Sequence, residues 1–269
     1  GSYGGPSYYI EAALKSRALG VVFAIALIAT YAGGFNMLAS FNLIDSMSNY
    51  GFYYQFMMGD RSLIPMIGGA ILAILVGICI IGGGKQIVRI TGVLVPFMGV
   101  FYILMAVAVM FLNIGRLPEV FVNIFSNAFD FKAIFGGFTG SAMMHGIKRG
   151  LFSNEAGMGS TPHAHAMAKV KHPHEQGVVA MTGVFIDTFV VLTMTALVVI
   201  STLYAGNGIL SAGTAEGVSK ANMAQMAFGT VLGSRAGSMF VAVCLLFFAF
   251  STILSWNFFG RLNVSWLLG

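Results

Sequence analysis

Charge is what this sequence has least of: 9% of its 269 residues are Asp, Glu, Lys or Arg, against roughly 25% in an ordinary soluble domain. So few charges cannot coat a water-soluble fold of this size. The same scarcity excludes a disordered chain and a nucleic-acid binder, both of which need a dense polar or basic surface. Cysteine is nearly absent, and Cys79 and Cys244 both sit inside apolar runs. They read as small buried hydrophobes with reduced thiols rather than as a disulfide. Of only six prolines, Pro96 lies inside a long apolar run, where it should kink a helix, whereas Pro65 falls in a first turn, where its missing N–H is harmless. No charged N-terminal segment with a cleavage site precedes the first apolar run, so no signal peptide is read. The abrupt start at Gly1-Ser2 and the end three residues after Trp266 read as a piece of something longer.

What is present is hydrophobic: 57% of residues are apolar or aromatic, and mean hydropathy is +0.86. Thirty-five Gly and seventeen Met suit helices packed closely in lipid, where small residues let backbones approach. A bilayer core of roughly 30 Å needs about 20 apolar residues per helix. Five charge-poor stretches are long enough: Arg17 to Asp45, Arg61 to Lys85, Arg89 to Arg116, Glu175 to Glu216 with Asp187 inside, and Arg235 to Arg261. A sixth, Lys132 to Lys148, is shorter and carries Gly136, Gly137, Gly140 and Gly146. If it crosses, Lys15, Arg17, Lys85, Arg89, Lys148, Arg149, Lys169, Lys171 and Arg261 share one side, nine of the fourteen basic residues. The positive-inside rule makes that side cytoplasmic, with both ends of the chain on it. The sixth stretch is therefore expected to span as a broken helix, a re-entrant loop being the alternative.

Several polar groups stand out against this background. Gly136-Gly137-Phe138-Thr139-Gly140-Ser141 offers freed backbone groups and two hydroxyls for a zwitterion, or else a close helix contact through Gly136 and Gly140. Ser251 and Thr252, with the Phe248 carbonyl one turn earlier, offer hard oxygen ligands for an alkali cation, or else hydroxyls bonded back to the preceding turn. Asp187 is the one acid deep in an apolar run; it is either functional or a structural acceptor, the second slightly favoured. Asn36 and Asn42 fit a helix facing a cavity. His163, His165, His172 and His174 are spaced i, i+2 in pairs, which does not put two rings on one helix face, so a solvated basic loop is expected there rather than a metal site. His145, beside the glycine-rich stretch, carries no assignment by itself.

The run Arg149-Gly150-Leu151-Phe152-Ser153-Asn154-Glu155-Ala156-Gly157-Met158-Gly159-Ser160-Thr161-Pro162-His163-Ala164-His165-Ala166 closely resembles the signature of the sodium:alanine (alanine or glycine:cation) symporter family. Gly5-Pro6-Ser7-Tyr8-Tyr9-Ile10-Glu11, Ala180-Met181-Thr182-Gly183-Val184-Phe185-Ile186-Asp187-Thr188 and Phe250-Ser251-Thr252-Ile253-Leu254-Ser255-Trp256 extend the likeness, in family order, over essentially the whole chain. Where many members read Gly-Asn-Met-Val-Gln, this chain reads Phe35-Asn36-Met37-Leu38-Ala39.

The resemblance implies an all-α membrane protein in which residues 1–269 form one partial LeuT-type inverted-repeat bundle of about six transmembrane helices, the fourth broken. They would be the third to eighth core helices, the first two and last two being absent. It implies Na⁺-coupled symport of alanine, glycine or a similar small amino acid across the plasma membrane, with Na⁺ as coupling ion and no cofactor. Asn36, Gly137, Phe138, Thr139, Gly140, Ser141 and Trp256 would line the substrate site, and Phe248, Ser251 and Thr252 would hold Na⁺; Trp256 could equally be an interfacial anchor. The rival classes are a membrane-embedded enzyme using His145, Asp187 and Glu155, which needs the loop residue Glu155 to meet the intramembrane Asp187, and an uncoupled channel-like protein or scaffold.

Overall fold

The computed structural model describes residues 4–129, 139–155, 157–211, 213, 218–219 and 222–269. A short helix α1 (Pro6–Leu14) ends where Lys15 turns left-handed, and the hydroxyl of Ser16 then caps α2 through the Leu19 amide. Helix α2 (Arg17–Ser48) runs out to a small hairpin of Met57–Met58 and Arg61–Ser62; α3 (Ile64–Ile81) returns, and α4 (Gly83–Leu112) crosses again. Then follow α5 (Leu117–Ala128), α6 (Thr139–Asn154), α7 (Ser160–His165), α8 (Pro173–Tyr204), α9 (Met223–Leu232) and α10 (Ser234–Leu268).

Among the described residues, α2, α3, α4, α8 and α10 are the helices long and apolar enough to cross a membrane, and they occupy the five long charge-poor stretches. Proline starts several helices as their missing N–H allows: Pro6, Pro65, Pro118 and Pro173 all lie in first turns. Helix α4 continues through Pro96. Below, the end of the bundle that holds Lys15 and Arg17 is the near end, and the end that holds Asp45, Tyr204 and Ser234 is the far end.

Helix α10 is the spine, touching α1, α2, α3, α4, α7 and α9. At the far end it packs with α4, α8 and α9 through Val241, Cys244, Tyr102, Ala106, Val198 and Phe228. At the middle it meets α2 and α3 through Ile253, Leu254, Leu43, Leu72, Val76 and Cys79. Cys79 and Cys244 are buried free thiols, as their apolar settings predict. Large apolar side chains such as Ile81, Val93 and Met181 face outward, a surface suited to lipid and costly in water.

Two of the long helices are not uniform. Both α2 and α8 widen into π-helical turns, over Ala29–Phe35 and over Ile186–Val191, each close to the midpoint of its helix. Wide turns of this kind swing side chains off the regular register and recur at functional sites. Here they carry Tyr31, Phe35 and Asp187.

Candidate functional site

The interruption in the broken segment lies between α6 and α7. Helix α6 ends at Asn154, and the backbone then turns left-handed at Glu155 (φ 53°), Gly157 (φ 78°) and Gly159 (φ 92°) before α7 starts at Ser160. A non-glycine residue in that region costs about 1–3 kcal/mol and persists only where its surroundings impose it. Gly159 is doubly required, because a Cβ there would lie 2.7 Å from the ring tip of Phe23 and 3.0 Å from Pro6.

The neighbours fix the depth. Just before the break, Phe152 packs on Phe35 with ring centroids 5.1 Å apart, and the Ser153 hydroxyl donates to Asp187 at 2.9 Å. Phe35 and Asp187 both lie near the midpoints of their helices, so the break sits at mid-depth. The C-terminal end of α6 therefore lies level with the midpoints of α2 and α8, and α7 lies toward the near end, against α10.

The expectation of an unwound backbone at Gly136–Ser141 is corrected in part. Thr139, Gly140 and Ser141 form the first turn of α6, whereas Gly137 and Phe138 lie outside the described residues. Glycine within a helix costs only about 1 kcal/mol, and it is common in membrane helices, so glycine content alone does not break one. The grouping of Lys148 and Arg149 with the near-end cations is also corrected. They line a far-half cavity with Leu38, Asn42 and Asp45, which leaves Lys15, Arg17, Lys85, Arg89, Lys169, Lys171 and Arg261 on the near side.

At the break, side chains from three elements converge. Trp256, 6% exposed, donates its indole N–H to Glu155 Oε1 at 2.7 Å, so Trp256 is no interfacial anchor and Glu155 is no loop residue. The Trp256 ring also lies 5.1 Å from Phe35 and 6.0 Å from Tyr31, and Tyr31 meets Phe259 edge-on at 6.1 Å. Aromatic faces around a carboxylate attract a cation twice, through the ring quadrupoles and through the charge.

Three buried oxygens near this cage are short of hydrogen-bond partners among the described residues: Asn36 Oδ1 has none, and the Tyr31 and Ser160 hydroxyls have no close partner beyond each other. The Tyr31 hydroxyl faces Ser160 and lies within electrostatic reach of Glu155. The Asn36 amide nitrogen reaches back to the Ala32 carbonyl at 3.5 Å. Buried polar atoms are almost always paired, so orphans gathered at one place mark where a polar guest would complete the set.

Farther toward the near end, the polar groups around His163 are paired among the described residues. Because the Gly159 carbonyl, 2.6 Å from His163 Nδ1, can only accept, His163 carries its proton on Nδ1. Its Nε2 then accepts from Asn263 Nδ2 at 2.7 Å, which also donates to the Phe259 carbonyl, while Asn263 Oδ1 accepts the Ser7 hydroxyl at 2.6 Å. His163 is 1% exposed, so the expectation of a solvated histidine loop fails for it: the break tucks α7 directly against α10. His165 pairs with Gln176 instead. Among the described residues no three His, Cys, Asp or Glu side chains gather as a metal site.

The remaining expected residues lie on α10. Ser251 is buried and donates to the Phe248 carbonyl at 3.1 Å, the back-bonded geometry, which holds those two oxygens together; Thr252 follows, half-buried. Asp187 accepts from Ser153, in keeping with a structural role. Sequence reasoning did not name Tyr31, Phe35 or Ser160 for this cage, met Phe152 only within the family motif, and gave Glu155 only to the rival enzyme reading. The available signal was an acid followed by two glycines spaced by one residue, Glu155-Ala156-Gly157-Met158-Gly159.

The sodium:alanine symporter family model matches residues 1–269. The chain is 39% identical to the sodium/alanine symporter AgcS of Methanococcus maripaludis, over 99% of this chain and 56% of that protein. It is 35% identical to the amino-acid carrier protein AlsT of Bacillus subtilis, over 98% of this chain and 52% of the relative. It is 34% identical to the probable sodium/glutamine symporter GlnT of the same organism, over 99% and 52%. The chain spans about half the length of the curated relatives it matches. These relatives are named as symporters or carriers, and none of them as an enzyme. A helical membrane protein with a mid-depth break, matched over its whole length by one transporter model, belongs to the sodium:alanine symporter family.

Proposed function

We propose that the protein is a secondary active transporter that couples inward Na⁺ movement to uptake of alanine, glycine or a similarly small amino acid. The observation that carries this reading is the break, where the Glu155 carboxylate, an aromatic cage, the facing hydroxyls of Tyr31 and Ser160 and the unpaired Asn36 Oδ1 converge. The substrate ammonium sits against Glu155 between the rings of Phe35, Phe152 and Trp256; Tyr31, Asn36 and Ser160 supply polar contacts at its edge. Thr139, Gly140 and Ser141 open the opposite end of α6, roughly 22 Å along the helix from the break at about 1.5 Å per residue, and take no part in this cage. Na⁺ is held by the Phe248 carbonyl and the hydroxyls of Ser251 and Thr252, with further ligands from helices beyond this chain. In this reading the chain contributes the third to eighth core helices of a LeuT-type pair of inverted repeats.

The driving force follows from membrane electrostatics, since each Na⁺ moving inward gains roughly 2.3 kcal/mol per 100 mV of inside-negative potential, in addition to its concentration gradient. Coupling requires that Na⁺ favour the arrangement that binds the amino acid, and linkage then makes the amino acid favour Na⁺ equally. The near end carries Lys15, Arg17, Lys85, Arg89, Lys169, Lys171 and Arg261, which supports a cytoplasmic near end in the plasma membrane.

Proteoliposomes of the full-length protein should accumulate labelled alanine when Na⁺ is imposed outside, and accumulation should vanish when K⁺ replaces it. Uptake indifferent to the Na⁺ gradient would leave an uncoupled pathway and end the symporter reading.

A further inference from the structure

The far-half cavity has a volume of about 810 Å³, and its lining is chemically divided. On α6, Lys148 and Arg149 present two exposed cations. Across from them on α2, Asp45 presents a half-buried carboxylate, with the Asn42 amide one turn below. Leu38, Phe41, Val241 and Leu245 supply much of the remaining wall.

Opposite charges lining one cavity normally close into a pair, yet among the described residues neither cation lies within ion-pair distance of Asp45. The two poles are held apart by α2 and α6. Charges walled by apolar side chains concentrate their field into the space between them and raise the local concentration of a complementary guest. The guest that fits two positive groups on one side and a negative group on the other is a zwitterion.

The cavity also leads somewhere. Phe152 forms part of its lining, and the same ring packs on Phe35 at the edge of the aromatic cage. Phe152 therefore borders both the charged cavity and the mid-depth cage.

We propose that this cavity is a second, outer binding site for an α-amino acid zwitterion, with its carboxylate toward Lys148 and Arg149 and its ammonium toward Asp45 and Asn42, from which the substrate passes Phe152 to the inner site. The proposal rests on the transport reading above and adds a distinct station to it. The outer site selects for both charged ends of the substrate; the inner cage, with one carboxylate, grips chiefly the ammonium.

The test uses Na⁺-driven uptake of labelled alanine by the full-length protein in proteoliposomes. In K148Q/R149Q, KM for alanine should rise about tenfold while the Na⁺ concentration for half-maximal uptake stays near the wild-type value, because the inner site is untouched. In D45N the rise should be smaller, about threefold. Alaninamide, which lacks the carboxylate charge, should compete more weakly than unlabelled alanine against wild type, and that difference should shrink in K148Q/R149Q. Added choline chloride should raise the wild-type KM and leave that of the double variant flat, since screening acts only on the charges present. A double variant with wild-type KM and wild-type salt dependence overturns the proposal. If the double variant is inactive, the charge-conserving K148R/R149K decides: recovered uptake with wild-type KM supports the outer site, and continued loss assigns the pair a structural role and overturns it. Wild-type protein that ignores the Na⁺ gradient fails the transport reading itself, an outcome readable before any variant is made.

Discussion

Two clusters of buried polar groups lie within a few residues of each other along the chain, one at the break and one just below it, and they differ in a telling way. The His163 ring nitrogens, the Asn263 amide and the Ser7 hydroxyl all have partners in the protein, and they tie α1, α7 and α10 together. Around Glu155 and Trp256, Asn36 Oδ1 has none among the described residues, and the Tyr31 and Ser160 hydroxyls have no close partner beyond each other. An unpaired buried polar atom costs about 1–3 kcal/mol, which weighs against such groups in a scaffold and suits a binding site, where a guest offsets the cost. The satisfied cluster ties α1, α7 and α10 together; the other leaves hydrogen-bonding positions open to a polar guest.

That contrast can be broken or sharpened by substitution, and the largest effect should come at the hinge between the two clusters. Gly159→Ala combines a left-handed φ with contacts to Phe23 and Pro6, and should destabilise the protein by about 3 kcal/mol in detergent melting. A wild-type melting temperature would show that the break can relax. Glu155→Gln keeps an acceptor for Trp256 but removes the charge; uptake efficiency should fall about 100-fold, equivalent to about 2.7 kcal/mol, with little change in melting. Retained transport would remove the carboxylate from the substrate's ammonium.

Asn263→Leu strands the Ser7 hydroxyl and His163 Nε2. It should cost about 2 kcal/mol of stability, read as a lowered melting temperature. Ser251→Ala with Thr252→Ala should raise the Na⁺ needed for half-maximal uptake about fivefold, a ligand effect of about 1 kcal/mol; an unchanged requirement would take both hydroxyls out of the ion site. The smallest stability effect belongs to Tyr31→Phe, which deletes an oxygen with no close partner beyond Ser160. Melting should shift by less than about 0.5 kcal/mol equivalent, while KM for alanine rises. A large loss of stability there would mean that the Tyr31 hydroxyl already belongs to the scaffold.

The long helices were legible from sequence because they depend on local composition. Twenty or so residues without charge have one stable arrangement in lipid, and α2, α3, α4, α8 and α10 follow. Trp256 stood out in sequence through its place in the family motif, and the structure buries it against Glu155. Glu155 was misjudged as a loop acid because hydropathy reads the polar run Arg149–Glu155 as a segment outside the membrane. Phe152 on Phe35 and Ser153 on Asp187 draw that run to mid-depth, and hydropathy carries no term for such long-range contacts. His163 was misplaced for the same reason: its burial depends on Asn263, a hundred residues later.

By itself, the sequence determined that this chain lives in a membrane, where its longest helices run and which family it belongs to, since each of these is written in local hydropathy or in contiguous motifs. Only the tertiary structure decided where the broken span opens, which way Lys148 and Arg149 face, and that Glu155 meets Trp256. Those outcomes depend on helices distant in sequence that meet at one depth, and a left-handed turn at Glu155 is stable only because they do.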